Sequence, residues 1–196
     1  GIAALRAAAQ GTDIEIVTFP TKYPSGGEKQ LVEILTGKQV PSGGLPSQVG
    51  VVCQNIGSTV AIFNAVVHGQ PLISRITTVT GESVHEPQNF EVLIGTPVQY
   101  LIEKAGYQSE KNNRLIMGGP MMGFTIPDTD VPVVKTTNCL LAPSETELST
   151  PPPAQACIRC GMCAEVCPAS LLPQQMFWFA QGKEFEKLEE HNLFDC

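Results

Sequence analysis

Across its first 138 residues the chain carries a single cysteine, Cys53. A disulfide-stapled scaffold is excluded there, because small secreted domains spread their cysteines along the chain to cross-link loops. Positive charge is also scarce. Against 19 Asp and Glu stand 12 Lys and Arg, a formal net charge of −7, and no basic run occurs. Nucleic acid is therefore not an expected partner, since neutralising phosphates needs clustered cations. No apolar stretch approaches the roughly 20 residues that cross a bilayer. No signal peptide opens the chain, which begins Gly1-Ile2-Ala3-Ala4 without an initiator methionine. That start, and the end on Cys196, read as a piece of a longer protein. The histidines His68, His85 and His191 are scattered, and no nucleophile–base pair is legible. What is present is a 196-residue chain with 42% hydrophobic residues, enough for packed cores and too many for a disordered chain.

Three stretches differ in pattern. Residues 1–73 read as the end of a helix (3–9), a buried strand (13–19), a Pro/Gly/Ser loop (21–27) and a helix over 28–36 stopped by Gly37. A second strand (49–53) and a helix capped by Ser58 and ended by Gly69 follow. Strand, loop, helix, repeated, predicts an α/β domain. Residues 74–142 read as strands at 76–79 and 90–94, a helix opened by Thr96-Pro97 and stopped at Gly106, and short strands at 115–117, 131–134 and 139–141. Strands around one helix suggest a small α+β module of β-grasp type. Residues 143–153, with Pro151, Pro152 and Pro153 in succession, read as an extended linker. Residues 154–196 hold five of the seven cysteines and two helices separated by Gly182.

The crowding of those cysteines argues for metal chemistry in a reducing compartment. Cys157-Ile-Arg-Cys160-Gly-Met-Cys163-Ala-Glu-Val-Cys167-Pro168 has the spacing of the bacterial ferredoxin run. In it three thiolates serve one [4Fe–4S] cluster and the fourth turns away to another. Soft thiolates are what such clusters select. A zinc ribbon would instead set two Cys-x-x-Cys pairs far apart. On this reading Cys157, Cys160 and Cys163 are ligands of a first cluster, Cys167 belongs to a second, and Cys196 is placed to open a second run. Neither set is complete within these residues, so the isolated piece is expected to carry no intact cluster and to be inactive. The long helical spacer favours a helical two-cluster ferredoxin. Cys53 and Cys139 read as small core residues.

Tyr23-Pro24-Ser25-Gly26-Gly27-Glu28-Lys29 precedes a helix. Such a loop can offer backbone N–H groups to an anion, or it can be a bare structural turn. It has the spacing of neither the Walker loop nor the dinucleotide fingerprint. Together with the cysteine run it makes the chain resemble the C subunits of Rnf complexes, the membrane-bound, ion-translocating ferredoxin:NAD oxidoreductases. The stretches that carry the resemblance are 22–31, 40–45, 52–57, 67–72, 116–123 and the cysteine run. More distantly, the first stretch is similar to the FMN- and NADH-binding flavoprotein subunit of NADH:quinone oxidoreductase.

The resemblance implies a division into the C-terminal part of an α/β FMN/NADH-type domain (1–73), a soluble-ligand-binding (SLBB-like) β-grasp domain (74–142), the linker, and a partial ferredoxin domain (154–196). It implies Tyr23, Gly26, Gly27 and Glu28 near flavin and nicotinamide, where the family has Gly-Glu-Glu after a tyrosine, and Gln54 and Asn55 at the family's Asn-Asn pair. The implied function is electron transfer between NAD(H), FMN and two [4Fe–4S] clusters, as part of an ion-translocating enzyme complex. Other membrane subunits and ferredoxin or a similar carrier would be the partners. The implied location is the cytoplasmic face of the bacterial inner membrane, peripheral and held by those subunits. A cobalamin reductase of the propanediol-utilisation type shares this layout, and a non-redox docking module is the reading from another class.

Overall fold

The structure, a computed structural model, describes residues 1–112 and 114–196. The elements in chain order are α1 (Ile2–Ala8), α2 (Glu28–Thr36), α3 (Ile56–His68), β1 (Ser74–Thr80), β2 (Gln88–Leu93), α4 (Val98–Lys104), β3 (Leu115–Met117), β4 (Phe124–Ile126), β5 (Cys139–Leu141), α5 (Met162–Glu165), α6 (Pro173–Gln181) and α7 (Phe185–Glu190), with 3-10 turns at Pro46–Val49 and Leu193–Asp195. They form two compact units. One joins Gly1–Cys53 to Ala156–Cys196; the other is Gln54–Gln155. The protein is of mixed α and β structure with one mixed sheet.

In the sheet unit the strand order is β2-β1-β5-β3-β4. β1 and β2 are an antiparallel hairpin, with Thr77 opposite Phe90, and β5 lies parallel to β1, with Val79 opposite Leu140. β3 pairs antiparallel with both β5 and β4. α4 presents Val98, Leu101, Ile102 and Ala105 on one stripe, the i, i+3, i+4, i+7 spacing that faces a helix toward a core. That stripe packs in one cluster with Val79, Val92, Leu115, Met117 and Leu140. A hairpin, one helix and a returning central strand are the arrangement expected of the β-grasp module. Leu101 and Ile102 are fully buried, each stabilising the unit by about 2 kcal/mol. Gly81 closes the end of β1 at φ +119°, and a side-chain carbon there would run into the Ala142 carbonyl. That carbonyl accepts from the Ser83 N–H at 3.1 Å, so the close approach is also a hydrogen-bonded one.

Several expectations are corrected. α3 is capped not by Ser58 but by Asn55, whose Oδ1 accepts the Gly57 N–H at 2.9 Å. α4 is entered through Pro97, not Thr96. Residues 131–134 form no strand. Pro132 lacks a donor for a ladder, so the segment makes an isolated bridge to Pro97 and buries Val133. The three-residue strand β4, bounded by Gly123 and Pro127, escaped the sequence pattern. The segment 143–153 is not wholly extended. Pro143 is buried, Glu82 accepts from Ser144 and from Thr146 (2.8 Å), and the Glu82 N–H donates to Glu147 at 2.8 Å.

In the other unit neither expected strand forms. Residues 13–19 and 49–53 have no ladder partner among the described residues. Their apolar side chains stay open, Ile14 at 65% exposure and Val52 at 77%. A parallel strand depends on burial of both faces, and here Ile16, Val51 and Cys53 are only half-buried while Ile14, Val17 and Val52 lie open. α2 forms as expected and ends on left-handed Gly37. A small helical core unites Leu171, Met176 and Leu188, with Cys167, Phe179 and Leu193 packed against it. α6 starts at Pro173, a residue suited to a first helical turn. Leu171, where the apolar pattern starts the first of the two helices (171–180), precedes α6 and enters the core instead.

Candidate functional site

The cysteine run lies on the surface of the helical unit. Cys157, Cys160, Cys163 and Cys196 are exposed and Cys167 is half-buried; all are free thiols. Arg159 (φ +58°) and Gly161 (φ +78°) adopt left-handed backbone, turning the chain twice between the first and third cysteines. Left-handed backbone at arginine is strained, whereas at glycine it is not. The single turn α5 follows, so Cys163 sits on a helix and Cys167 just past its end. Cys157 Sγ accepts the Arg159 N–H at 3.4 Å, and Cys167 Sγ accepts the Leu171 N–H at 3.3 Å. Such hydrogen bonds orient the two sulfurs. Four soft, free donors suit a thiolate-ligated metal group in chemistry. Among the described residues, no three His, Cys, Asp or Glu side chains converge closely enough to hold a metal ion.

Cys196 ends the turn Leu193–Asp195. Leu193 anchors that turn on the helical core. Asp195, buried to 16% side-chain exposure, accepts from Lys29 Nζ at 3.0 Å, from Ser42 Oγ and from the Gly43 N–H at 3.4 Å. The hydrogen bond from Ser42, then that from Lys29, hold its carboxyl below the ordinary carboxylate range. Nothing in the spacing of the cysteines pointed to this residue.

The glycine loop is compact: Ser25 N–H donates to the Lys22 carbonyl and Gly27 N–H to the Pro24 carbonyl, both at 2.7 Å. Gly27 caps α2. A side-chain carbon at Gly27 would lie 3.1 Å from the Pro24 carbonyl oxygen, whereas one at Gly26 would meet nothing within 4 Å. Gly27 therefore serves the turn, and Gly26 leaves an open approach to the backbone. Tyr23 is exposed beside it, and Glu28 puts a carboxylate in the first turn of α2, where the helix dipole favours negative charge. Tyr23, Gly26 and Gly27 thus share one loop, and Glu28 follows it as the first residue of α2.

Gln54 and Asn55 belong to the sheet unit. Both are exposed, and the Asn55 side chain is engaged in capping α3. Beside them a cleft of about 790 Å³ is lined by Asn55, Ile56, Val60, Leu72, Arg75 and Glu91, among others. Arg75 Nε is buried there with no hydrogen-bond partner. Its guanidinium lies 3.5 Å from where a Gly57 side chain would begin. Arg75 was missed from sequence; the available signal was a lone charge in the otherwise uncharged strand β1.

Residues 1–64 match the family model of the Nuo51 FMN-binding domain, and residues 76–125 that of the SLBB domain. Curated proteins named as the C subunit of an ion-translocating oxidoreductase complex align with nearly the whole of this chain. The protein from Yersinia pestis is 55% identical over 195 residues, which is 99% of this chain and 32% of that protein. That from Pseudomonas aeruginosa is 57% identical over 194 residues, 99% of this chain and 25% of that protein. A Vibrio cholerae protein is 55% identical over 195 residues, with coverage of 99% and 25%. This chain is a relative of the C subunits of ion-translocating oxidoreductase complexes. The resemblance drawn from the motifs is thereby borne out. The chain spans about a quarter to a third of the length of these relatives. Among the described residues no helix is long and apolar enough to cross a membrane.

Proposed function

We propose that this segment carries electrons between an FMN- and NAD(H)-binding site and cysteine-ligated [4Fe–4S] clusters in a membrane-bound, ion-translocating complex. Other membrane subunits and ferredoxin or a similar carrier are its partners, and those subunits hold it peripherally at the cytoplasmic face of the inner membrane. The observation that carries this reading is the make-up of one unit: residues 1–53, which fall inside the FMN-binding match, fold with the thiol run. When bound, flavin supplies the link between two-electron and one-electron chemistry, and the clusters supply single-electron steps.

The chain's own residues bind and position. Tyr23 and the open backbone at Gly26 leave room for a flat ligand, and Gly27 holds the turn that starts α2. In the sheet unit, Gln54 and Asn55 are assigned to the cofactor. There, in a cleft that Glu91 also lines, the start of α3 and the Arg75 Nε without a partner offer N–H donors to an anionic group such as a phosphate. Cys157, Cys160 and Cys163 hold one cluster, and Cys167 and Cys196 serve a second. In each case the thiolate is the ligating form.

Full-length protein purified without oxygen tests the reading. Bound flavin and iron for two clusters are expected, with iron lost on Cys157→Ala or Cys160→Ala. Stoichiometric zinc with no flavin would overturn it. The 196-residue piece alone is expected to lack the visible absorbance of intact clusters.

A further inference from the structure

Asp195 stands directly before Cys196, and its carboxylate is bonded by residues more than 150 positions away in the chain. Lys29 is in the first turn of α2, two residues after the glycine that caps it. Ser42 and Gly43 belong to the next loop. Three donors from two separate segments therefore meet on one side chain, within a single compact unit. The 3.0 Å ion pair and the reach of the two side chains keep the Asp195 and Lys29 Cα atoms within about 13 Å of each other. On the other side of the same turn, Leu193 packs on the helical core, and the Cys196 N–H donates to its carbonyl at 3.1 Å. Cys196 is thus fixed from both sides: apolar packing through Leu193 and hydrogen bonding through Asp195.

We propose that Asp195 is a positioning residue that ties Cys196 to the glycine loop at the start of α2, holding a cluster ligand at short range from the flavin-side loop. This rests on the reading of Cys196 as a cluster ligand. A carboxylate suits the role because it accepts several hydrogen bonds at once, and charge-assisted bonds are the stronger ones. Substituting amide for carboxylate keeps one acceptor oxygen and loses the charge. Alanine removes every acceptor. The two variants should therefore grade the effect. The tie can also be cut from its far end, at Lys29 and Ser42, without touching the residue next to the cysteine.

The test uses full-length, anaerobically reconstituted protein carrying D195A, D195N, the pair K29M/S42A, or C196A. Iron content, the electron paramagnetic resonance spectrum of the reduced clusters and amide exchange over residues 41–44 are measured for each. D195A is expected to keep its iron, to change the resonance signal of one cluster only, and to raise exchange over residues 41–44 at least tenfold. D195N should give a smaller change of the same kind, and K29M/S42A should reproduce that of D195A. Spectra and exchange for D195A identical to the parent overturn the proposal. A change in D195A that K29M/S42A does not share also overturns it, because the effect would then be local to the neighbour of Cys196. C196A tests the reading beneath: loss of one cluster signal supports the ligand role, and retention of both refutes it whatever residues 41–44 do.

Discussion

Replacing Leu188 by alanine probes how the cysteine-bearing segment is held. Leu188 is 6% exposed and is one of three residues in the buried centre of the helical core, beside Leu171 and Met176. Full burial of such side chains contributes about 2 kcal/mol each, so the three together supply about 6 kcal/mol before chain entropy is charged against them. Leu→Ala in a core costs about 2–5 kcal/mol, the lower end applying where neighbours can collapse into the space. Phe179 and Leu193 are only partly buried and can do so. The expected loss is about 2.5 kcal/mol, or roughly 60-fold in the opening equilibrium of the segment. Amide exchange over α6 and α7 is the assay, since local opening shows there directly. Exchange should rise by that factor in both helices, with α4 in the sheet unit unchanged. Leu188→Met, which conserves volume, should cost less than about 1.5 kcal/mol. An increase below tenfold in Leu188→Ala would show that the helical core is not what orders these residues.

Four further expectations concern the sheet unit. Gly81→Ala meets both positive φ and the Ala142 carbonyl; a loss above about 2 kcal/mol and a fall in Tm of about 10 °C are expected in thermal melts. Asn55→Ala removes the α3 cap and should cost about 1 kcal/mol, read by exchange in α3. Arg75→Met should weaken flavin retention in the full-length protein, measured by equilibrium dialysis, while leaving its melt unchanged. Hydrogen bonds from Ser144 and then Thr146 hold the Glu82 carboxyl below its ordinary value. Its stabilisation is therefore complete above that value and lost as pH falls through the lowered one. Proteolysis within residues 143–150 should stay slow at neutral pH and accelerate only once pH falls below the ordinary glutamate range.

The sheet unit was largely legible because its residues are selected by contacts close in sequence. The β1–β2 hairpin is announced by alternation and by Gly81, and α4 by its apolar stripe and the Pro97 entry. β3 and β5 are short but almost wholly apolar, and both fall where the pattern puts them. β4 was illegible, since three residues carry no period and its place depends on pairing with β3. The cap of α3 was misplaced because Ser58 and Asn55 are both good caps, and only the formed turn decides which is used. At the site, the cysteine spacing is a local signal and was read directly. Arg75 and Asp195 stand out through surroundings that spacing does not encode, one through a buried Nε without a partner in a cleft and one as the meeting point of distant donors.

The two strands that failed to form mark the limit of periodicity as a guide. An apolar run records that a segment is suited to burial; it does not name the surface that buries it. Residues 13–19 and 49–53 have such runs, yet Ile14, Val17 and Val52 lie open, and no described strand pairs with either segment. By contrast, Val32 of α2 is buried although its helix is predominantly exposed. Burial in this unit follows tertiary partners rather than local hydrophobicity. The rule gives its own check. Peptide amides at 13–19 and 49–53 should exchange freely in the 196-residue chain and be protected in the full-length protein. Equal exchange in the two would mean that the apolar pattern there has no structural partner at all.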